Sequence, residues 1–429
     1  MKRIIVAGGG AAGFMSAFHA KRPDTEVTVL EAQEKPGKKL LATGNGKCNL
    51  TNQKMDELCY RGMDPEFAKR TLKKFGFEET LEFFGNMGMM FKNRNGYFYP
   101  SSGQASSVAE LLIHRCEEAG VSIRVNCMVK EVTKKNGTFL IRCKVQKKQG
   151  KKVLEEKEIT EKCDKVILAA GSNAGGFGCE ITGSRIAAQM GHCIVPEVPA
   201  LTALECGQKD FFQKNSGVRT DGKITVLDEG EHILAEDTGE LQLTAYGVSG
   251  IPAFQVSRYA AYALRQKKPV YAQLDFLSEF SFVELYDKIQ IVRKRYPESK
   301  ISDVLSCIFN RKLAESFLDE LKVEPNFPVS KMDPARIKKL LQHMKKFRVK
   351  ILNVKGMEHA QVCAGGVSTG ELTDEFMSRK VKDLYIIGET VDIDGMCGGY
   401  NLQFAWAGGW ISGHAAAETA GGIRCSVSE

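Results

Sequence analysis

The chain has 429 residues, of which 43% are hydrophobic and 26% charged, a composition typical of a globular protein with two or three domains. A net charge of +8 is moderate for this length and does not by itself indicate a nucleic-acid-binding protein. No run of 18 apolar residues and no N-terminal signal pattern occur, so we expect a cytoplasmic protein that does not cross a membrane. The 13 cysteines are at least 11 residues apart, so we predict reduced thiols and no metal site.

The first 31 residues carry the strongest local pattern. A short apolar run at residues 4–7 predicts a buried parallel strand that enters the sequence GGGAAG, a helix-compatible stretch covers residues 11–21, and a second strand at residues 26–30 ends at Glu31. Gly8, Gly10 and Gly13 have the GxGxxG spacing, which allows a tight turn, close approach of a pyrophosphate, and close helix–strand packing. An acidic residue 18 positions after Gly13 suits a ribose. The predicted contacts are Gly8, Gly10, Ala11, Ala12, Gly13, Glu31 and Ala32.

Residues 32–52 are rich in Gly, Asn, Thr and Lys and lack regular periodicity, which predicts a long ordered loop. Ordered loops beside a nucleotide site are usually functional. Lysines there suit phosphates, and the Thr and Asn side chains suit a polar ring edge. The candidate residues of this loop are Lys38, Lys39, Thr43, Gly44, Asn45, Cys48 and Asn49, with both Cys48 and the later Cys397 interpreted as small packing residues.

The middle of the chain alternates between helical and strand patterns. Residues 64–119 are helical in pattern with an aromatic hairpin at 96–100. Three strands follow at 121–132, 138–145 and 152–159, with turns at Asn136–Gly137 and Gln149–Gly150. Another buried strand begins at Lys165 and runs into Ala170 and Gly171. From about residue 191 the pattern changes to short strands and then to helices.

The closing segment returns to the character of the first domain. The sequence LYIIGE at 384–389 is a strand that ends in glycine and an acid, Gly388 and Glu389, and a glycine turn with a small-residue helix to about Thr419 follows. FAD is long, so a second loop must hold its ribityl and isoalloxazine half, and a strand–Gly–acid pattern here suits a flavin. We assign a ribityl contact to Glu389, ring contacts to Gly399, Tyr400, Asn401 and Leu402, and the helix N-cap to Asn401.

Two stretches resemble a known family. GKKLLATGNGKCNLTN and the run LYIIGE…DIDGMCGGYNLQFAW are similar to the BaiN-like, or YhiN-like, FAD-dependent oxidoreductases, some of which are called aminoacetone oxidases. The resemblance covers nearly the whole chain and implies a glutathione-reductase-like topology in which the backbone of Val129 contacts adenine. The chain departs from the family at Ala245, where relatives have histidine, and at Cys363 and Cys397, where they often have threonine.

We therefore predict an α/β fold: a Rossmann-type FAD-binding domain with an inserted β-barrel-like domain and a small helical domain. The expected bounds are 1–190 with 354–429 for the discontinuous FAD domain, 191–277 with 323–353 for the β-rich insert, and 278–322 for the helical part. FAD is expected to be non-covalent. Because only one GxGxxG occurs, NAD(P)H could act only as a transient electron donor.

Three functions remain open from the sequence. The first is hydride transfer between NAD(P)H and a small unsaturated or carbonyl compound, with ring-enone reduction of steroid or bile-acid type as the precedent implied by the resemblance. The second is an amine oxidase acting on an aminoacetone-like substrate with oxygen as acceptor. The third is an RNA-binding or assembly flavoprotein that uses the basic segment 331–355, although a solvated surface is the simpler interpretation and nucleic acid is not expected. Neither a catalytic acid or base nor an oligomeric state can be assigned.

Overall fold

The chain begins with β1 (Lys2–Ala7), α1 (Ala11–Ala20) and β2 (Thr25–Leu30), in a computed structural model that describes residues 1–149, 152–177 and 180–418. The two strands pair in parallel, with Ile4 beside Val27 and Ala7 beside Leu30. These residues are almost completely buried. Continuous apolar runs of this kind form parallel strands that are covered on both faces, so the local pattern predicted this unit correctly.

The predicted loop at 32–52 contains a short helix, α2 (Lys38–Ala42), and a 3-10 turn, Thr43–Gly46. The predicted helical region is confirmed, and its aromatic insertion is the hairpin formed by β5 and β6, in which Phe91 lies beside Pro100. The elements in order are β3 (Thr51–Asn52), β4 (Tyr60–Arg61), α3 (Pro65–Leu72), α4 (Phe77–Asn86), β5 (Phe91–Arg94), β6 (Tyr97–Pro100) and α5 (Ala105–Glu118).

The strand predicted at 121–132 is in fact two strands, β7 (Ser122–Arg124) and β8 (Cys127–Lys135). They separate because β7 pairs in parallel with β2, whereas β8 pairs antiparallel with the next strand, and Asn126 takes a left-handed conformation (φ 53°) between them. The turn at Asn136–Gly137 is confirmed by its two positive φ angles, while Gly150 of the turn predicted at Gln149–Gly150 lies outside the described residues. The next elements are β9 (Thr138–Gln149), β10 (Lys152–Cys163), β11 (Lys165–Leu168), α6 (Gly183–Gln189) and β12 (Ile194–Ala200).

A closed six-stranded barrel occupies the middle of the chain, with the order β13-β16-β15-β14-β17-β18. Its strands are β13 (Leu204–Cys206), β14 (Arg219–Asp228), β15 (Ile233–Thr244), β16 (Gly247–Ser249), β17 (Val270–Asp275) and β18 (Phe347–Val354). The helices of this region are α7 (Lys209–Lys214), α8 (Ile251–Arg265), α9 (Phe282–Arg295), α10 (Ile301–Ser306), α11 (Arg311–Glu320) and α12 (Pro334–Lys345). The predicted barrel-like insert is thus confirmed.

The last elements are β19 (Val362–Val367), β20 (Leu384–Ile386), β21 (Asp394–Gly395) and α13 (Tyr400–Ala417). The strand β20 pairs in parallel with β11 and completes a five-stranded sheet of order β20-β11-β1-β2-β7. The chain divides into two compact units, one made of residues 1–197 and 362–429 and the other of residues 198–361. The first unit contains this Rossmann-type parallel sheet, to which both ends of the chain contribute strands.

The helix α13 packs directly on α1 through small residues. A Cβ at Gly409 would lie 2.6 Å from the Cβ of Met15, and a Cβ at Gly413 would lie 2.5 Å from the carbonyl oxygen of Ser16. The described part of α13 ends at Ala417, and Thr419, to which the sequence pattern extended, lies outside the described residues. In the part of the chain that the structure describes, no helix has the length and apolar character needed to cross a bilayer.

Candidate functional site

An open cleft lies in the first unit, where β1, β2 and β11 end. Ligands of open α/β sheets bind outside the carboxyl ends of the strands, so this is the expected position of a dinucleotide. The cleft combines residues from the glycine-rich turn, the end of β2, α2, the start of β8 and the segment after β11. The predicted residues that line it are Gly8, Gly10, Glu31, Ala32, Lys38, Lys39, Val129, Ala170, Gly171 and Glu389.

Each of the three motif glycines of the turn is required for a different structural reason. Gly8 has a φ of +110°, and a Cβ there would lie 2.4 Å from the carbonyl oxygen of Ala169. Gly13 faces the turn itself, because its Cβ would lie 1.9 Å from the carbonyl oxygen of Gly8. At Gly10, by contrast, a built Cβ meets no atom within 4 Å from the described residues beyond its own neighbours in the chain and helix, and Gly10 lines the cleft. Two glycines therefore hold the turn together, and the third leaves room for a ligand.

The Glu31 side chain, which lines the cleft, is held by two backbone N–H groups. Its Oε2 accepts a hydrogen bond from the Gly9 N–H at 2.8 Å, and its Oε1 accepts one from the Gln33 N–H at 2.6 Å. Burial raises the pKa of the Glu31 carboxyl, although the N–H donors of Gln33 and Gly9 act in the opposite direction. The carboxylate has lone pairs beyond these two bonds, so it can also accept from ribose hydroxyls.

We expect Glu31→Ala to weaken FAD binding by about 1–3 kcal/mol, because both backbone donors and the ribose lose a buried acceptor. The dissociation constant of FAD for the apoprotein measures this loss. Glu26→Ala, which changes an exposed carboxylate on the same strand, is the matched control and should bind FAD like the parent protein. An unchanged dissociation constant in Glu31→Ala would remove Glu31 from the site.

The opposite wall of the cleft brings together the two family-like stretches from the ends of the chain. The Lys39 Nζ lies 2.8 Å and 2.6 Å from the two carboxylate oxygens of Glu389. The Cys363 N–H donates to the Glu389 Oε1 at 2.9 Å. Glu389 follows Gly388, whose φ of +64° turns the chain at this point. The Lys39 ammonium and the Glu389 carboxylate thus lie side by side in the cleft. The ammonium suits a phosphate of the ligand, and the carboxylate suits a hydroxyl group.

The other predicted residues do not line this cleft. Ala11, Ala12 and Gly13 form the first turn of α1. Gly388 directly precedes Glu389 in the chain but does not line the cleft itself. Within the 32–52 segment, Cys48 is fully buried and burial raises its pKa to about 12, which agrees with a packing role. The Asn49 Oδ1 is buried and has no hydrogen-bond partner in the described ranges of the chain. An acceptor of this kind suits a ligand N–H. The residues of this segment outside the cleft are Thr43, Gly44, Asn45, Cys48 and Asn49.

The glycine turn before α13 packs against β3, since a Cβ at Gly399 would lie 3.0 Å from the carbonyl oxygen of Thr51. The prediction that Asn401 caps α13 is wrong. Gly399 is the N-cap, and the Asn401 side chain accepts from the Gly395 N–H at 2.8 Å and donates to the Gly395 carbonyl at 2.9 Å. Its amide therefore closes the turn, and the N-cap Gly399 has no side chain to cap the first N–H groups of α13, which Tyr400, Asn401 and Leu402 provide.

Several cleft residues were not predicted. Gly9 and Gln33 are the backbone partners of Glu31. The position of Gln33 two residues after Glu31, and that of Gly9 inside the glycine motif, were usable signals. Ala7 and Leu30 are the last residues of β1 and β2. The others come from the start of β8 and from the segment after β11, which meet the glycine turn only in the folded sheet. The unpredicted lining residues are Ala7, Gly9, Leu30, Gln33, Cys127, Met128, Ala169, Ser172, Phe177 and Ile181.

The groups that line the cleft suit FAD. The space over Gly10 would admit a pyrophosphate, the anchored Glu31 would accept from a ribose, and the Lys39–Glu389 pair would meet a polyol. The fold and this site define a Rossmann-type flavin oxidoreductase. The family model described as "HI0933-like protein Rossmann domain" matches residues 2–415, and the chain belongs to that family.

Two relatives align over all or nearly all of their length. The chain is 43% identical over 422 residues to 3-dehydro-bile acid delta(4,6)-reductase of Clostridium scindens, which covers 97% of this chain and 100% of that protein. It is 26% identical over 410 residues to the ribosomal RNA dihydrouridine synthase of Escherichia coli, which covers 95% and 96% of the two proteins. Among solved structures, 3-ketosteroid delta1-dehydrogenase from Sterolibacterium denitrificans is similar, with a TM-score of 0.49, 13% identity and coverage of 97% and 100%.

Proposed function

We propose that this FAD-dependent oxidoreductase reduces a carbon–carbon double bond conjugated to a ketone in a small, steroid-like molecule, with NAD(P)H as the transient electron donor. The observation that carries the proposal is the 43% identity to the bile-acid reductase over that protein's whole length. The residues of the cleft, which suit a single dinucleotide cofactor, support it. When bound, FAD supplies two-electron hydride chemistry.

The residues of the first unit would perform distinct tasks. The turn at Gly8–Gly13 admits the pyrophosphate to the N-terminus of α1, where free N–H groups favour negative charge. Glu31 accepts from the ribose, and Glu389, oriented by Lys39 and by the Cys363 N–H, accepts from the ribityl chain. We propose that residues 1–190 and 354–429 form the FAD-binding domain and that the protein acts in the cytoplasm, where nicotinamide cofactors are available.

A uracil base in RNA is the second candidate substrate, favoured by the ribosomal RNA dihydrouridine synthases among the relatives. The bond reduced in uracil is also conjugated to a carbonyl, so the same site chemistry serves both. The basic segment 331–355 gives this candidate limited support, because several of its cations pair with acids. The Lys345 Nζ lies 2.9 Å from Asp275, the Lys355 Nζ lies 2.7 Å from Glu205, and Arg348 pairs with Glu231.

Anaerobic mixing experiments test the proposal. We expect NADH or NADPH to bleach the visible flavin absorbance of the holoprotein, and a 3-keto-4-ene steroid to restore it with stoichiometric formation of the saturated ketone. Restoration by a uridine-containing RNA and not by the steroid would establish the second candidate instead. Bleaching by aminoacetone, followed by reoxidation with oxygen, would identify an amine oxidase and would contradict both.

A further inference from the structure

Two large apolar side chains are left in solvent on one short segment of the first unit. Leu58 is 82% exposed and Met63 is 76% exposed, and within the described parts of the chain only the terminal Met1 exceeds them among large hydrophobic residues. Isolated exposed hydrophobic residues are ordinary, but a concentration of them marks an interaction surface. The two residues lie five positions apart, on either side of β4.

The backbone between them is firmly held. In β4, Arg61 lies beside Asp394 and Tyr60 beside Gly395 of β21. The Met396 N–H donates to the carbonyl of Cys59 at 2.9 Å, and the Met63 N–H donates to the Asp392 Oδ2 at 2.9 Å. Leu58 and Met63 are therefore exposed although the backbone of their segment is anchored by hydrogen bonds.

The same hydrogen bonds and contacts place β4 beside residues 392–400. The Tyr60 hydroxyl donates to the Tyr400 carbonyl at 3.0 Å, so β4 is bound to the first turn of α13. A Cβ at Gly62 would lie 2.3 Å from the carbonyl oxygen of Asp392, which keeps the two backbones in direct contact. The apolar side chains are thus attached to the stretch 392–400, whose glycine turn is predicted from the sequence to contact the isoalloxazine half of FAD.

We propose that Leu58 and Met63 are specificity-determining residues that contact the apolar ring system of the substrate; this rests on the proposed function. The occupant is a rigid hydrocarbon ring system carrying a conjugated ketone. A polyanion such as RNA fits less well, because the exposed side chains of Leu58 and Met63 are apolar and offer no charge to a phosphate. Burial of Leu58 and Met63 against the rings gains binding free energy that a small monocyclic enone cannot provide.

The test compares a large and a small enone. We expect the double variant Leu58→Ser/Met63→Ser to raise the KM for a 3-keto-4-ene steroid at least tenfold, while the KM for 2-cyclohexenone, the FAD dissociation constant and the rate of bleaching by nicotinamide stay within twofold. Ile233→Ser is the matched control, because Ile233 is 61% exposed on β15. Its steroid KM should be unchanged.

An unchanged steroid KM in the double variant would overturn the proposal, and so would equal increases for both enones, which would indicate a structural defect. If the parent protein turns over no enone, the proposed function fails. Equilibrium binding of a saturated 3-keto steroid, followed by the flavin absorbance, then tests separately whether Leu58 and Met63 bind a steroid. Binding to the parent protein that weakens at least tenfold in the double variant supports the surface. No binding to the parent, or equal binding to both, overturns it.

Discussion

Replacing Gly10 by alanine is expected to abolish FAD binding at micromolar concentration while leaving the apoprotein as stable as the parent. Among the described residues, apart from its neighbours in the chain and helix, no atom lies within 4 Å of a Cβ built at Gly10. The methyl group therefore costs little in the apoprotein and projects into the cleft. It would occupy the space through which a pyrophosphate approaches the backbone. We expect the FAD dissociation constant to rise at least 100-fold, measured by titration of the apoprotein.

Gly13→Ala provides the contrasting variant, because its Cβ would lie 1.9 Å from the Gly8 carbonyl oxygen. The first turn of α1 must then move away from β1, and we expect a loss of about 3 kcal/mol or more in the free energy of unfolding, at the upper end of overpacking costs. Denaturant titration of both apoproteins separates the two effects. The assignment of Gly10 to the ligand and of Gly13 to the fold would be wrong if both variants lost stability equally.

The second large effect concerns two histidines between α1 and α13. His19 lies 4.7 Å from His414, ring centre to ring centre, and the rings of Phe83 and Trp410 enclose it. Burial lowers the pKa of His19 to about 3, with the nearby His414 and Arg22 adding to the effect, and burial and Arg22 lower the pKa of His414 to about 4. Both rings are therefore predominantly neutral in the folded protein at pH 5 and above.

In the unfolded chain these histidines take up protons below about pH 6.5, whereas the folded protein does not, so the unfolded state gains stability as the pH falls. Their stabilisation is complete above pH 6.5 and is lost progressively toward pH 3–4. For His19 alone the loss between pH 7 and pH 5 is about 2 kcal/mol, and His414, whose ring is less enclosed, adds a smaller amount.

The two tryptophans of the chain, Trp406 and Trp410, both lie in α13 and allow this to be measured. Tryptophan fluorescence during denaturant unfolding reports on the first unit, and we expect the pH 7 to pH 5 difference to fall by about 2 kcal/mol in His19→Leu, whatever its absolute stability. His359→Gln, at an exposed histidine, is the control. A His19→Leu variant that retained the full pH dependence would contradict the assignment.

The parts of this protein that could be predicted from sequence are those whose determinants are contiguous. The strand, glycine turn, helix, strand and terminal acid of residues 4–31 each depend on neighbours in the chain, so both the parallel β1–β2 pair and the position of Glu31 followed directly. The hairpin turn at Asn136–Gly137 is equally local, because both residues tolerate a positive φ. The barrel-like insert could be predicted as a class from its short strands, although its closure could not.

Tertiary structure decided what depends on distant partners. The division of 121–132 into β7 and β8 follows from the parallel pairing of β7 with β2, which no periodicity within the segment reveals. Asparagine is a common N-cap residue, yet the side-chain amide of Asn401 is hydrogen-bonded to the backbone N–H and carbonyl of Gly395 instead. Lys39 and Glu389 are 350 residues apart, and the parallel sheet shared by the two ends of the chain brings them to hydrogen-bond distance. Local patterns thus determined which groups could meet a dinucleotide, and the sheet order determined which of them share one cleft.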